Sequence, residues 1–371
     1  MNTLELHWHK ALIRRKEEGH LRELRSAGTG VDFCSNDYLG LSADVDFQHI
    51  ILDAIRSDTR CLTGATGARL ISGNSLAAEE AEDFIAAAHR VESALLFPSG
   101  YKANLALFSC IAARHDTILV DELIHRSVHD GCLMSKAERW KFRHNDMSHL
   151  EELLRKAKGN VIIAVESLYS MDGDFAPLSA IVDLSRKYGA GVVVDEAHAV
   201  GVFGMGLVHA VDLQRDVLAT VVTFGKAMGV QGAAILGNRL LKDYLINFAS
   251  PFIYSTAMPD IQVLSIRVAY EYLDKHRHLA VSLQARIRHF RKYRLSGISQ
   301  EASPVQVVRF SSTHQLREVA RTLQEANIQA YSLFAPTVRV GVERLRVCVH
   351  AFNSDQEIDK LCTIIKKYEY Q

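Results

Sequence analysis

The chain has 371 residues, 48% hydrophobic and 23% charged, enough apolar material for one large core and a smaller second one. Lys+Arg and Asp+Glu each number 43, so the formal net charge is zero and the basic excess of a nucleic-acid-binding protein is absent. Six cysteines, at 34, 61, 110, 132, 348 and 362, form no Cys-x-x-Cys pair, which at this length argues against a disulfide-stapled scaffold and for reduced thiols in a cytoplasmic protein.

The first 25 residues read as a polar amphipathic helix, charged throughout and unlike a signal peptide or membrane anchor. A short strand is expected at Val31–Cys34, then a turn-rich SNDYLG and glycines at 64, 67 and 73. A helix over Leu76–His89 opens an alternation of strands and helices. The expected strands are Ala94–Phe97, Thr117–Val120, Trp140–Phe142, Val161–Val165, Gly191–Val194, Leu218–Thr223 and Ala233–Leu236. Helices are expected at Tyr101–Ala112, Val128–Ser135, Ser148–Ala157 and Ala180–Tyr188. The runs Val161–Val165 and Gly191–Val194 are apolar on both faces, as in a parallel sheet covered on both sides, and far too short to span a bilayer. Beyond about residue 240 the pattern becomes helix-rich over Pro259–Arg294. Strands at Pro304–Phe310 and Leu345–His350 and helices at Thr313–Ala326 and Asp355–Tyr368 complete the chain. The expected organisation is an N-terminal helix and arm (1–45), a large α/β domain (46–240) and a small α+β C-terminal domain (241–371).

In an open α/β sheet ligands bind at the carboxyl ends of the strands, and chemistry-bearing residues fall there. Asp195 and His198 come just after the run Val192–Val194; the carboxylate either caps a helix start or meets a cation in a site. Lys226 stands in the glycine-flanked TFGKAMGVQG, as a surface lysine or as a nucleophilic amine. FPSGY (97–101) opens a helix, as an ordinary N-cap or as an anion site made of free amides. His125 and His129 are four apart, but Arg126 occupies the place of the glutamate in a His-Glu-x-x-His zinc site, so His125 is either a surface residue or a flat ring for stacking. The run Gly201–Gly206 lacks the lysine of a phosphate-binding loop.

Taken in order, SNDYLGL (35–41), TGATGARLISGN (63–74), FPSGYKAN (97–104), DELIHRS (121–127), ESLYSMDGDFAPL (166–178), VDEAHAVGVFG (194–204), TFGKAMGVQG (223–232), PFIYSTAMP (251–259) and RLRV (344–347) resemble the α-oxoamine synthase family of fold-type I pyridoxal-phosphate enzymes. The resemblance implies a mostly parallel seven-stranded sheet, a homodimer with shared active sites, and pyridoxal 5'-phosphate held as a Schiff base on Lys226. It implies that Asp195 pairs with the pyridine nitrogen, that His198 lies near the ring oxygen and that His125 stacks on the ring. Gly100, Tyr101 and Thr223 would hold the phosphate, with Ser255 and Thr256 reaching it across the dimer. Glu166 and Ser170 would line the cofactor, and Asn36 and Arg346 would bind substrate. The implied reaction is a decarboxylating condensation of an amino acid with an acyl thioester. In the branch this chain most resembles, these are L-alanine and pimeloyl-CoA or its carrier-protein equivalent, in biotin biosynthesis. Glycine C-acetyltransferase and serine palmitoyltransferase-like activities are the alternatives. The chain departs from the family at Asn74, at Ala78-Glu79-Glu80-Ala81-Glu82 and at Gln231.

Overall fold

Seven short runs rich in β-branched and small apolar residues form one sheet. They are Ser93–Phe97 (β2), Thr117–Asp121 (β3), Glu138–Phe142 (β4), Val161–Glu166 (β5), Gly191–Asp195 (β6), Ala219–Thr223 (β7) and Ala233–Gly237 (β8), after an earlier strand, Val31–Phe33 (β1), that belongs elsewhere. The computed structural model describes residues 2–18, 21–24, 28–297, 299–335, 338–339 and 341–369. The sheet order is β2-β8-β7-β6-β5-β3-β4, and β8 alone runs antiparallel to its neighbours. Every residue of β2, β3 and β7 is buried, and β5 and β6, the runs expected to be apolar on both faces, are buried in all but their first residue. Crossover helices Gly100–Cys110, Arg126–Met134, Met147–Lys156 and Leu178–Tyr188 cover the two faces. Packing on them is dense: Ile163 is fully buried, and truncating such a side chain to alanine costs about 3 kcal/mol.

Chain order reverses between β3 and β5, which lie side by side in parallel. At such a switch point successive connections leave in opposite directions, opening a crevice at the strand carboxyl ends. The segments after β3, β5, β6 and β7 all emerge there, carrying His125, Glu166, Asp195 and Lys226 to one edge.

A second sheet has the order β1-β10-β11-β9, with Val305–Arg309 (β9), Ile328–Leu333 (β10) and Arg344–Cys348 (β11). β1 pairs in parallel with β10, Val31 opposite Ile328, so the segment before SNDYLGL is tied to the C-terminal part of the chain. β11 is buried along its whole length, antiparallel to both β10 and β9. Neither β10 nor the helix Val45–Ser57 is among the elements expected from sequence. That helix buries only Phe47, and β10 buries only its two ends. The opening helix covers Thr3–Glu17, shorter than the 25 residues expected; 21–24 are not helical, and 19, 20 and 25 fall outside the described residues. A capping box between Asn2 and Glu5 starts it, and none of its residues is buried. All six cysteines are free, and among the described residues no helix is long and apolar enough to cross a membrane.

Candidate active site

A cavity of about 580 Å³ opens at the carboxyl ends of the large sheet. Asn36, Gly100, Tyr101, His125, Glu166, Asp195, His198, Thr223 and Lys226, nine of the residues singled out from sequence, line it. Ser170 and Arg346 lie one contact behind the wall: Arg346 Nη2 donates to Asn36 Oδ1 at 2.9 Å, and its Nε to the carbonyl of Ser170 at 2.7 Å. Ser255 and Thr256 are elsewhere, against Pro98, Lys102 and Arg69 in a separate small pocket.

The local fold explains each placement. Ser99 caps the helix Gly100–Cys110 by accepting from the Lys102 amide, and Ala103 N–H begins the helical ladder on Ser99. The amides of Gly100 and Tyr101 remain as N-terminal donors beside the cavity, a ready anion site. Only glycine fits at position 100, since a Cβ there would lie 2.4 Å from Thr223 Cγ2. The turn after β7 needs Gly229 for a related reason. Its φ is +66°, and a Cβ would lie 2.7 Å from that of Leu41, so the Lys226 loop packs directly on SNDYLGL.

Asp195 is held from two sides, Oδ2 by Asn104 Nδ2 at 2.7 Å and Oδ1 by the Ala197 amide at 2.9 Å. Asn104 also donates to Ser127 Oγ at 3.0 Å, and that hydroxyl lies 2.8 Å from His125 Nδ1. Asn104 and Ser127 thus join the carboxylate to the ring that would stack on a ligand. Tyr38, fully buried, places its hydroxyl 2.7 Å from His198 Nδ1 and 3.1 Å from Asn36 Oδ1. Asn104, Ser127 and Tyr38 all stand inside the family motifs, yet nothing in the sequence marks them out. Their partners are 91, 23 and 160 positions away, and no local pattern reports such distances.

Titration in the cavity is set by burial and crowding. Burial lowers the Lys226 ammonium's pKa; Asp195 and Glu166 oppose the shift and Arg346 adds to it. Burial, and after it the Asp195 charge, pushes the Glu166 carboxyl up to about 8 against the pull of Lys226. His198 and His125 are both lowered, burial first, with Lys226 adding to each. Glu166 Oε1 is buried with no partner among the described residues. A wall with a lysine of lowered pKa, a clamped carboxylate, an orphaned acceptor and free helix amides suits a polar aromatic ligand bearing an aldehyde and a phosphate.

The sequence profile of the family "aminotransferase class I and II" matches residues 29–365. An 8-amino-7-oxononanoate synthase of Emericella nidulans is 40% identical, over 96% of this chain and 93% of its own. That of Chromobacterium violaceum is 36% identical, over 90% and 88%. Among solved structures, 8-amino-7-oxononanoate synthase from Francisella tularensis superposes with a TM-score of 0.79 at 26% identity, over 92% of this chain and 99% of that one. Serine palmitoyltransferase from S. paucimobilis reaches 0.88 over 99% and 98%, but at 22% identity it speaks to the fold alone. With the profile running from residue 29 to residue 365 and relatives of this identity along nearly its whole length, the chain belongs to the aminotransferase class I and II family.

Proposed function

We propose that the chain catalyses the decarboxylating condensation of L-alanine with a pimeloyl thioester, of CoA or of a carrier protein, to 8-amino-7-oxononanoate in biotin biosynthesis. The observation that carries this reading is the joining of Lys226, Asp195 and two helix N-terminal amides in one cavity, in a chain whose 36–40% identical relatives bear that enzyme's name. The cofactor is pyridoxal 5'-phosphate, which when bound supplies an electron sink for negative charge at the α-carbon of the amino acid.

Each residue then has a task. Lys226 Nζ, its pKa lowered by burial, holds the cofactor covalently and moves the proton of the α-carbon. Asp195, immobilised by Asn104 and Ala197, keeps a proton on the ring nitrogen, because an adjacent negative charge favours the cationic ring. The amides of Gly100 and Tyr101 and the Thr223 hydroxyl hold the phosphate. His125 would stack on the ring and His198 would stand near its oxygen, Glu166 lines the polar wall, and Ser170 supports it from behind through the carbonyl that accepts from Arg346. Asn36 Oδ1 is taken by Arg346 and Tyr38, which leaves its Nδ2 to donate to the carboxylate of the amino acid. Arg346 backs that contact with a permanent positive charge. Residues that orient the carboxylate select which α-carbon bond breaks, so this corner governs decarboxylation.

A homodimer belongs to the same reading, with Ser255 and Thr256 completing the neighbouring site; the strong exposure of Leu70 (52%) and Ile71 (86%) beside that loop supports it. A cytoplasmic location also belongs to this reading. The test is a substrate matrix of L-alanine, glycine and L-serine against pimeloyl-, acetyl- and palmitoyl-CoA. Release of carbon dioxide and 8-amino-7-oxononanoate from alanine and pimeloyl-CoA is expected. Turnover confined to glycine with acetyl-CoA, or to serine with palmitoyl-CoA, would overturn the assignment.

A further inference from the structure

The arm that carries Asn36 is gripped by the turn that follows β11. His350, fully buried, stands just past the end of that strand. Its Nδ1 lies 3.1 Å from the carbonyl of Asp32 and 3.2 Å from Asn353 Oδ1. Asn353 Oδ1 accepts from the His350 amide at 2.9 Å and its Nδ2 donates to the Asp32 carbonyl at 3.0 Å, which fixes the orientation of that side chain. Both atoms facing Nδ1 are therefore acceptors, and Nδ1 donates. Nε2 lies 3.2 Å from Ser35 Oγ and 3.1 Å from the Ser35 carbonyl. Ser35 offers a hydroxyl that gives and a carbonyl that takes, so Nε2 is tied to this residue with or without a proton. The His350 ring lies flat on Phe352, centroids 4.7 Å apart and planes at 14°. Phe352 in turn presses on Gly40, whose φ is +83° and where a Cβ would lie 2.8 Å from the Phe352 ring. Between these two rings in sequence, the Ala351 amide donates to the Tyr38 carbonyl at 2.8 Å.

We propose that His350 is a positioning residue for the amino-acid substrate: by gripping Asp32 and Ser35 it holds Asn36 at the cavity wall against Arg346. Asn36 sits between two held points, Ser35 on one side and the Tyr38 carbonyl on the other, and its own Oδ1 accepts from Arg346 at 2.9 Å. All three holds come from one short stretch, β11 and the turn after it. Ser35, Asn36 and Asp37 border the cavity, so the aim of Asn36 Nδ2 there follows from the backbone that His350 fixes. Releasing Ser35 lets the arm shift while Arg346 stays on β11, and a hydrogen bond weakens steeply when its partners are misaligned. The inference rests on the proposed function for the role of Asn36 toward the carboxylate of the amino acid.

The test compares pyridoxal phosphate-loaded wild type with His350→Phe and His350→Gln. The first keeps the ring and its stacking and loses both polar contacts; the second places an amide nitrogen where Nε2 stands. The apparent Kd for L-alanine, read from the change in visible absorbance on titration, is expected to rise ~tenfold or more in His350→Phe and to stay within ~threefold of wild type in His350→Gln. KM for alanine should follow, with kcat and KM for pimeloyl-CoA within ~threefold of wild type. In the cofactor-free protein, hydrogen exchange should quicken over residues 31–41 in His350→Phe and stay unchanged in the large sheet. Should that variant not fold, His350→Asn, which keeps the Nδ1 contacts and gives up Ser35, carries the same expectation. Alanine binding within ~threefold of wild type in the variant that loses Ser35 would overturn the proposal. So would a glutamine variant as impaired as that one, or a loss confined to kcat. Failure of the functional reading would look different: no response to L-alanine from the wild-type protein, with exchange over 31–41 still faster in the variant.

Discussion

His144 and His198 are shielded histidines at the same edge of the large sheet, and they titrate in opposite directions. His144 lies between two carboxylates, Nδ1 2.9 Å from Asp121 Oδ1 and Nε2 2.6 Å from Asp174 Oδ2, with its ring edge-on to Tyr169 at 4.5 Å. Burial works against its charge, but the bonds to Asp121 and Asp174 outweigh that and push its pKa up to about 10. His198 meets a neutral hydroxyl and two cations, and its pKa falls. Desolvation acts on both in the same sense, so the partner decides. The imidazole between carboxylates stays charged at neutral pH and serves as a fastener; the one without a carboxylate is neutral and suits a site.

The fastener has a definite load. Asn145, at φ +52°, joins it through its amide to Asp121 Oδ2 at 3.0 Å and through Nδ2 to Asp174 Oδ2 at 2.9 Å. Two residues before Asp174, Asp172 pairs with Arg344 of β11 at 2.8 Å. Two before that, the carbonyl of Ser170 receives Arg346. One loop thus ties the large sheet to the strand that carries Arg346, the arginine behind the proposed carboxylate corner.

The largest expected effect lies on the reactive side. Lys226→Ala should lower turnover by ~10⁴-fold or more, measured as product formed from alanine and pimeloyl-CoA. Asp195→Asn, nearly the same shape without the charge, should keep cofactor and fold while turnover falls ~10²- to 10³-fold; a rate within tenfold of wild type would end the electron-sink role. On the structural side, His144→Ala should cost ~3 kcal/mol in urea unfolding, since it strands two shielded carboxylates. The pH dependence has a fixed sign. His144's pKa is raised on folding, so its stabilisation is complete below its ordinary value near 6.5 and is lost as pH rises through about 10. The stability gap between wild type and His144→Gln should therefore narrow at high pH; a gap that widened would refute the charged clamp. Smallest is Asn104→Ala, which frees one oxygen of Asp195 and should reduce kcat about tenfold with little change in KM for alanine.

Much of this contrast was legible in the sequence on one side only. The β-branched runs ending at Glu166 and Asp195, the glycine-flanked Lys226 and the Ser99-Gly100 helix start are local signals, and all emerge at one cavity. His144, Tyr38 and Asn104 carry no such signal. Each matters through a partner brought near by the fold, such as Asp174, 30 positions from His144. The pairing of β1 with β10 escaped for the same reason: β1 is expected as a strand, but its register joins Val31 to Ile328, almost 300 positions away.

The central claim, that Lys226 is the amine that holds the cofactor opposite Asp195, is tested most directly by borohydride reduction of the pyridoxal phosphate-loaded enzyme and peptide mass spectrometry of the product. The account predicts a phosphopyridoxyl adduct on Lys226 and its absence in Lys226→Ala. An adduct on another lysine, or none in a protein that turns over substrate, would contradict it.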